Sequence, residues 1–147
     1  SGTYGYFFWT VYLVNNGWKS DEFSESTFHH EFSSILLKRQ TVFLNPWLEQ
    51  NPSDFKYLYE TNKHKADIKI TLNGTKADYE DGFITDYGRT TFENDFNEYA
   101  AMIFTHPQKF KEIMKQYPKV RGKFKILLQF YQNIDPIFTE EYMLSKN

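Results

Sequence analysis

The stretch Thr27-Phe28-His29-His30-Glu31-Phe32-Ser33-Ser34-Ile35-Leu36-Leu37-Lys38-Arg39 decides how the rest of the chain is read. Its flanks predict a helix: Ser26 or Thr27 suits an N-cap, Glu25 lies near the positive end of the dipole, and Lys38 and Arg39 suit the negative end. The expected end is near Gln40. Phe28, Phe32, Ile35 and Leu36 fall at helical spacing and are expected to form the buried stripe, while His30 and Ser34, four residues apart, share an adjoining face. That second face carries the chemistry. On a helix, His-Glu-x-x-His sets two imidazoles one turn apart to hold zinc, with the Glu placed to take a proton from metal-bound water. Here the pattern reads His30-Glu31-Phe32-Ser33-Ser34, so the first ligand and the base are present and a neutral hydroxyl stands at the second ligand position. A His-Glu pair alone is more often a half-buried helix whose imidazole hydrogen-bonds, so the downstream sequence must supply the rest.

Composition narrows the classes. At 147 residues the chain is long enough to be read as a single domain, 1–147, burying about two-thirds of its unfolded surface. Cysteine is absent, which excludes disulfides, thiolate metal sites and a cysteine nucleophile. With a net charge of −2 there is no basic surplus to set against phosphates, and nucleic acid is not an expected partner. The basic run from Lys109 to Lys125 reads as a solvated helix face. Phe (15), Tyr (11) and Trp (3) are abundant enough that most must be core, with tyrosine hydroxyls left for the surface or a cleft. No apolar run reaches the ~18 residues that would span a bilayer, and the expectation is a soluble chain with no membrane span. The start at Ser1-Gly2 points to a processed or trimmed chain.

Taken in order, Tyr4 to Asn15 is nearly all aromatic or β-branched, ends in Asn15-Asn16-Gly17, and is expected to be a strand covered on both faces. Trp18 to Glu25 is expected to be a loop before the helix above. Asn45-Pro46 and Asn51-Pro52 punctuate the next segment, and Ser53 caps an expected short helix, Asp54 to Glu60, with Phe55, Leu58 and Tyr59 inward. Asp67 to Thr75 alternates at period 2 and turns at Asn73-Gly74, predicting a hairpin whose return strand is Lys76 to Glu80. A glycine-bearing loop, 81–89, leads to Thr90 or Thr91, which caps a helix running to about Phe104. Its stripe is Phe92, Phe96, Tyr99 and Ile103, and its other face carries Asn94, Asp95 and Glu98. Pro107 and Pro118 separate two more helices, Gln108 to Gln116 and Val120 to Gln132, the last with Phe124, Leu127, Leu128 and Tyr131 inward. The expected class is α+β, predominantly helical with a small sheet or hairpin.

A zinc site built on His-Glu-x-x-His needs a third ligand from a later helix and an open position for water. The segment from Ile84 to Phe104, Ile-Thr-Asp-Tyr-Gly-Arg-Thr-Thr-Phe-Glu-Asn-Asp-Phe-Asn-Glu-Tyr-Ala-Ala-Met-Ile-Phe, resembles the corresponding stretch of anthrax toxin lethal factor. It is similar also to a family of zinc-binding metallopeptidases of the gluzincin type, often lipoproteins. The likeness covers roughly Thr27 to Gln132, and His29 to Leu36 resembles the family's His-His-Glu-Phe-x-His-Ile-Leu except at the second His. This implies a zincin-like fold with the N-terminal part shortened. It also places His30 at the first zinc ligand, Glu31 at the general base and Tyr87 at the tyrosine that would stabilise an oxyanion. The ligating Glu expected seven residues beyond that tyrosine is here Asn94, and the supporting acid one turn later is Glu98.

Two of three implied ligands are thus replaced, by Ser34 and Asn94. The neighbouring Glu93 and Asp95 point about 100° round the helix from position 94. His29 lies on another face, and His64 and His106 read as surface histidines. The expectation is a metallopeptidase-like module that has lost its metal and is not catalytic, with no cofactor, or zinc if it is active. By resemblance it is extracellular or at the cell surface, with a peptide or protein as partner, or a glycan. Two other functions compete: an active zinc peptidase using Asp95 or Glu98, and a carbohydrate- or peptide-binding domain that recognises through exposed Trp and Tyr.

Overall fold

The computed structural model describes residues 11, 21–38, 44–61 and 74–145. Among them are seven α-helices and no strand: α1 Asp21–Leu37, α2 Leu44–Leu48, α3 Lys76–Asp81, α4 Phe92–Thr105, α5 Pro107–Gln116, α6 Pro118–Ile134 and α7 Glu140–Met143. Two 3₁₀ turns, Leu58–Thr61 and Asp86–Arg89, lie between them. The predominantly helical expectation holds. The predicted strand Tyr4 to Asn15, apart from residue 11, and the outgoing strand of the hairpin, residues 67–73, lie outside the described residues.

The return strand is a correction. Lys76 to Glu80 belongs to α3, because Thr75 accepts from the Asp78 amide while the Asp78 carboxylate reaches back to the Thr75 amide, a complete capping box. The helix stops at Gly82, whose φ of +88° is left-handed and whose missing Cβ would lie 3.0 Å from Lys119 Cβ. The short helix predicted at Asp54 to Glu60 is also corrected to a turn followed by the 3₁₀ segment. There Tyr57 is buried, Phe55 and Leu58 are half-buried, and Tyr59 is exposed.

Helix α4 is the axis of the molecule. Thr91 caps it by accepting from the Asn94 amide, and Pro107 opens α5 at a position that needs no N–H. Its Phe96, Tyr99, Ala100 and Ile103 are fully buried against Trp47, Phe110, Phe124, Leu127 and Phe130, in a core stitched by edge-to-face and tilted ring pairs. Pro118 starts α6, two residues before the expected start, and the helix packs Phe124, Leu127 and Tyr131 inward as expected, with Leu128 half-buried and Val120 buried besides. Thr139 caps α7, whose Met143 closes one end.

Two buried charges sit inside this apolar packing. Asp95, placed by its spacing on the polar face, is 0% exposed, and so is Lys123, expected on a solvated face. The Asp95 Oδ2 accepts from Lys123 Nζ at 2.6 Å, Tyr57 Oη at 2.7 Å and Trp47 Nε1 at 2.9 Å. The ammonium also lies 4.0 Å from the Phe83 ring centroid. Three donors on one carboxylate oxygen counter only part of the desolvation: burial still pushes the Asp95 carboxyl up, and its Oδ1 is buried without a hydrogen-bond partner among the described residues.

Helix α1 departs most from its expected orientation. It starts by Asp21, so the residues from Asp21 to Glu25 are helix and not loop. Phe28 and Phe32 are 38% and 40% exposed and stack on one another at 5.7 Å, whereas Ser33 is fully buried. The inward face is therefore His30, Ser33, Ser34 and Leu37, spaced i, i+3, i+4, i+7, with Leu36 and Leu37 touching the core. Partner numbers on α4 fall as those on α1 rise: His29 stacks on Phe104, His30 meets Glu98 and Ser34 meets Asn97. The two helices are antiparallel.

Candidate metal centre

His30 is presented inward by the middle of α1 and is held from α4. Its Nδ1 lies 3.1 Å from Glu98 Oε1, and the other carboxylate oxygen of Glu98 accepts from Thr85 Oγ1 at 2.8 Å. A carboxylate only accepts, so Nδ1 carries the proton and the Nε2 lone pair is left as the donor atom of the ring. This is how a metal-binding imidazole is usually oriented.

Tyr87 arrives from the 3₁₀ turn Asp86–Arg89, which is fixed by several contacts. Arg89 donates to Asp78 at 3.1 Å and Asp81 at 3.0 Å and covers the Phe83 ring, while Thr90 Oγ1 donates to the Tyr87 carbonyl at 2.6 Å. The Tyr87 ring lies 5.8 Å from that of His30. Burial first, then neighbouring Tyr59, Glu98 and Glu31, pushes the Tyr87 phenol up, against a hydrogen bond from Asn94 that pulls it down. Of the groups singled out in the sequence, His30, Tyr87, Asn94 and Glu98 are thus brought together by three elements. Glu31 points to the exposed side of α1.

The two replaced ligand positions are held by hydrogen bonds. Ser34 Oγ accepts from Asn97 Nδ2 at 2.6 Å, and Asn94 Nδ2 donates to Thr90 Oγ1 at 2.7 Å. Position 34 therefore supplies a hydroxyl and position 94 an amide. Among the described residues no group of three His, Cys, Asp or Glu side chains converges. One imidazole nitrogen beside a neutral hydroxyl and a neutral amide is not the three-ligand nitrogen and carboxylate set that zinc takes. These residues do not fit the metal.

The alternative ligands are also placed. Asp95 points into the core and is held by Lys123, Tyr57 and Trp47, and Glu98 is committed to His30 and Thr85. His29 lies against Phe104, and His106, at the junction of α4 and α5, meets Thr105 Oγ1 at 2.7 Å. His64 is outside the described residues. Sequence reading missed Asn97 and Thr85. Thr85 had no periodic signal to mark it, and Asn97 could have been found as a polar residue three positions from Asn94 on the helical face that also holds Glu98.

A model of the family described as "putative zinc-binding metallo-peptidase" matches residues 6–137 of the chain. No curated protein and no solved structure matches it.

Proposed function

Because the chain belongs to this zinc-binding metallo-peptidase family, we propose that it is a member whose metal site has become a hydrogen-bonded seam and that works as a non-catalytic binding module. The carrying observation is what fills the two replaced positions: a neutral hydroxyl, bound to Asn97, at 34 and a neutral amide, bound to Thr90, at 94, where zinc would take an imidazole and a carboxylate. In an active family member His30 would be a ligand, Glu31 the general base and Tyr87 the oxyanion donor. Here they are the remains of a cleft.

The partner we propose is an extended peptide or protein segment, lying over His30, Glu31 and Tyr87. Against a glycan, Trp47 is fully buried and offers no face to a sugar, although Tyr59 and Tyr142 are exposed. Placement outside the cell or at its surface, as a lipoprotein, is part of the proposal and rests on resemblance alone. No helix among the described residues is long and apolar enough to cross a membrane.

Incubating the purified chain with a library of unstructured peptides, with and without added zinc, tests the reading. Retention without cleavage is expected in both conditions. Cleavage abolished by a chelator would make the chain a peptidase.

A further inference from the structure

We propose that the Ser34–Asn97 hydrogen bond is a metal-independent clamp that holds α1 on α4. The inference rests on the metal-free reading above and adds how the helix carrying the old motif stays docked without a metal.

A zinc ion coordinated by positions 30, 34 and 94 would tie α1 to α4 directly. The structure shows another tie at the same seam. Asn97 is fully buried on α4, and its Nδ2 donates at 2.6 Å to Ser34 Oγ on α1, joining residues 63 apart in sequence. One turn away, the chain from Thr85 through Glu98 to His30 makes a second link between the same helices. Apolar burial does less here than the helix's composition predicts, because Phe28 and Phe32 face outward and the fully buried residue between the links is Ser33. Among the described side chains of α1, docking therefore rests on these polar links together with Leu36, Leu37 and the stacking of His29 on Phe104.

The substitution Ser34→Ala reads the clamp by its sign. Alanine is the better helix former, so with an idle hydroxyl the change would raise the melting temperature or leave it unaltered. The clamp predicts a fall of about 3 °C, as expected in a chain of this length on losing one buried hydrogen bond. It also predicts hydrogen exchange of α1 amides faster by about fivefold, with α6 unchanged. In an Asn97→Ala background the same substitution should then have no further effect. A melting temperature at or above the wild type for Ser34→Ala, or fully additive effects of the two changes, would overturn the clamp. Should Asn97→Ala not fold, the sign of the Ser34→Ala shift alone decides. Stoichiometric zinc in the unaltered chain would overturn the metal-free reading instead, whatever the Ser34 result.

Discussion

His30 and Glu98 are joined at 3.1 Å, and Glu98 is held in turn by Thr85 at 2.8 Å, so the imidazole keeps the support of a metal ligand although its two companions are gone. Restoring those companions should restore the site. The double change Ser34→His and Asn94→Glu is expected to bind zinc when neither single change does so tightly, because position 34 is one turn from His30 on the same face and α4 runs antiparallel beside it. Calorimetric titration of zinc into the singles and the double checks this. No gain in the double would mean that the three positions do not converge on one point.

Phe32 and Phe96 should behave very differently on truncation. Phe32 is 40% exposed and Phe96 0%, so Phe32→Ala should cost less than about 1 kcal/mol and Phe96→Ala about 3 to 5 kcal/mol. Urea unfolding of both variants measures it. Equal, large losses would place Phe32 in the core and contradict the orientation of α1.

The buried pair of Asp95 and Lys123 should show strong coupling. Asp95→Ala leaves an ammonium with 0% exposure without its counter-charge and strips Tyr57 and Trp47 of their acceptor, for a cost of about 3 to 5 kcal/mol. Adding Lys123→Met to Asp95→Ala should recover part of that loss. Additive losses in a double-mutant cycle would show that the two charges do not depend on each other.

Asp78 should contribute to the acid limb of stability. Burial pushes its carboxyl up, but the Thr75 amide and hydroxyl and the Arg89 guanidinium together outweigh burial and hold it below the usual carboxylate range. A depressed folded-state value means stability that is present above the unfolded pKa, about 3.9, and is lost as pH falls through the folded value below it. Asp78→Asn should flatten the fall in stability below about pH 4. An acid limb identical to the wild type would remove Asp78 from the account.

Local chemistry made the second half of the fold legible. Thr91 as a cap, Pro107 and Pro118 as breaks between helices, and the Phe96, Tyr99, Ile103 stripe act through neighbours a few residues away, and all are visible in sequence, although each proline proves to be the first residue of the helix that follows it. Lys76 to Glu80 was misread because Asn73-Gly74 is a strong hairpin signal, while the competing capping box, Thr75 with Asp78, lies one residue beyond it. The inward face of α1 was hidden for another reason. Periodicity weighs apolar residues and chose Phe28 and Phe32. The face that packs is set by partners on α4, Asn97 and Glu98, more than 60 residues away in sequence. Spacing puts Asp95 on the polar face of its helix and the basic run puts Lys123 on a solvated one, since nothing local to either shows that the other will meet it. At the candidate site the sequence motifs point to His30, Tyr87, Asn94 and Glu98, which lie near one another. The hydrogen bonds that occupy Ser34 and Asn94 needed the structure.

The metal content of the unaltered chain tests the central claim most directly. Elemental analysis after purification in the presence of zinc, followed by calorimetric titration, is expected to show no stoichiometric metal and no tight binding, because one imidazole, a hydroxyl bound to Asn97 and an amide bound to Thr90 do not make a zinc site. One tightly held zinc per chain, released by a chelator, would contradict the account.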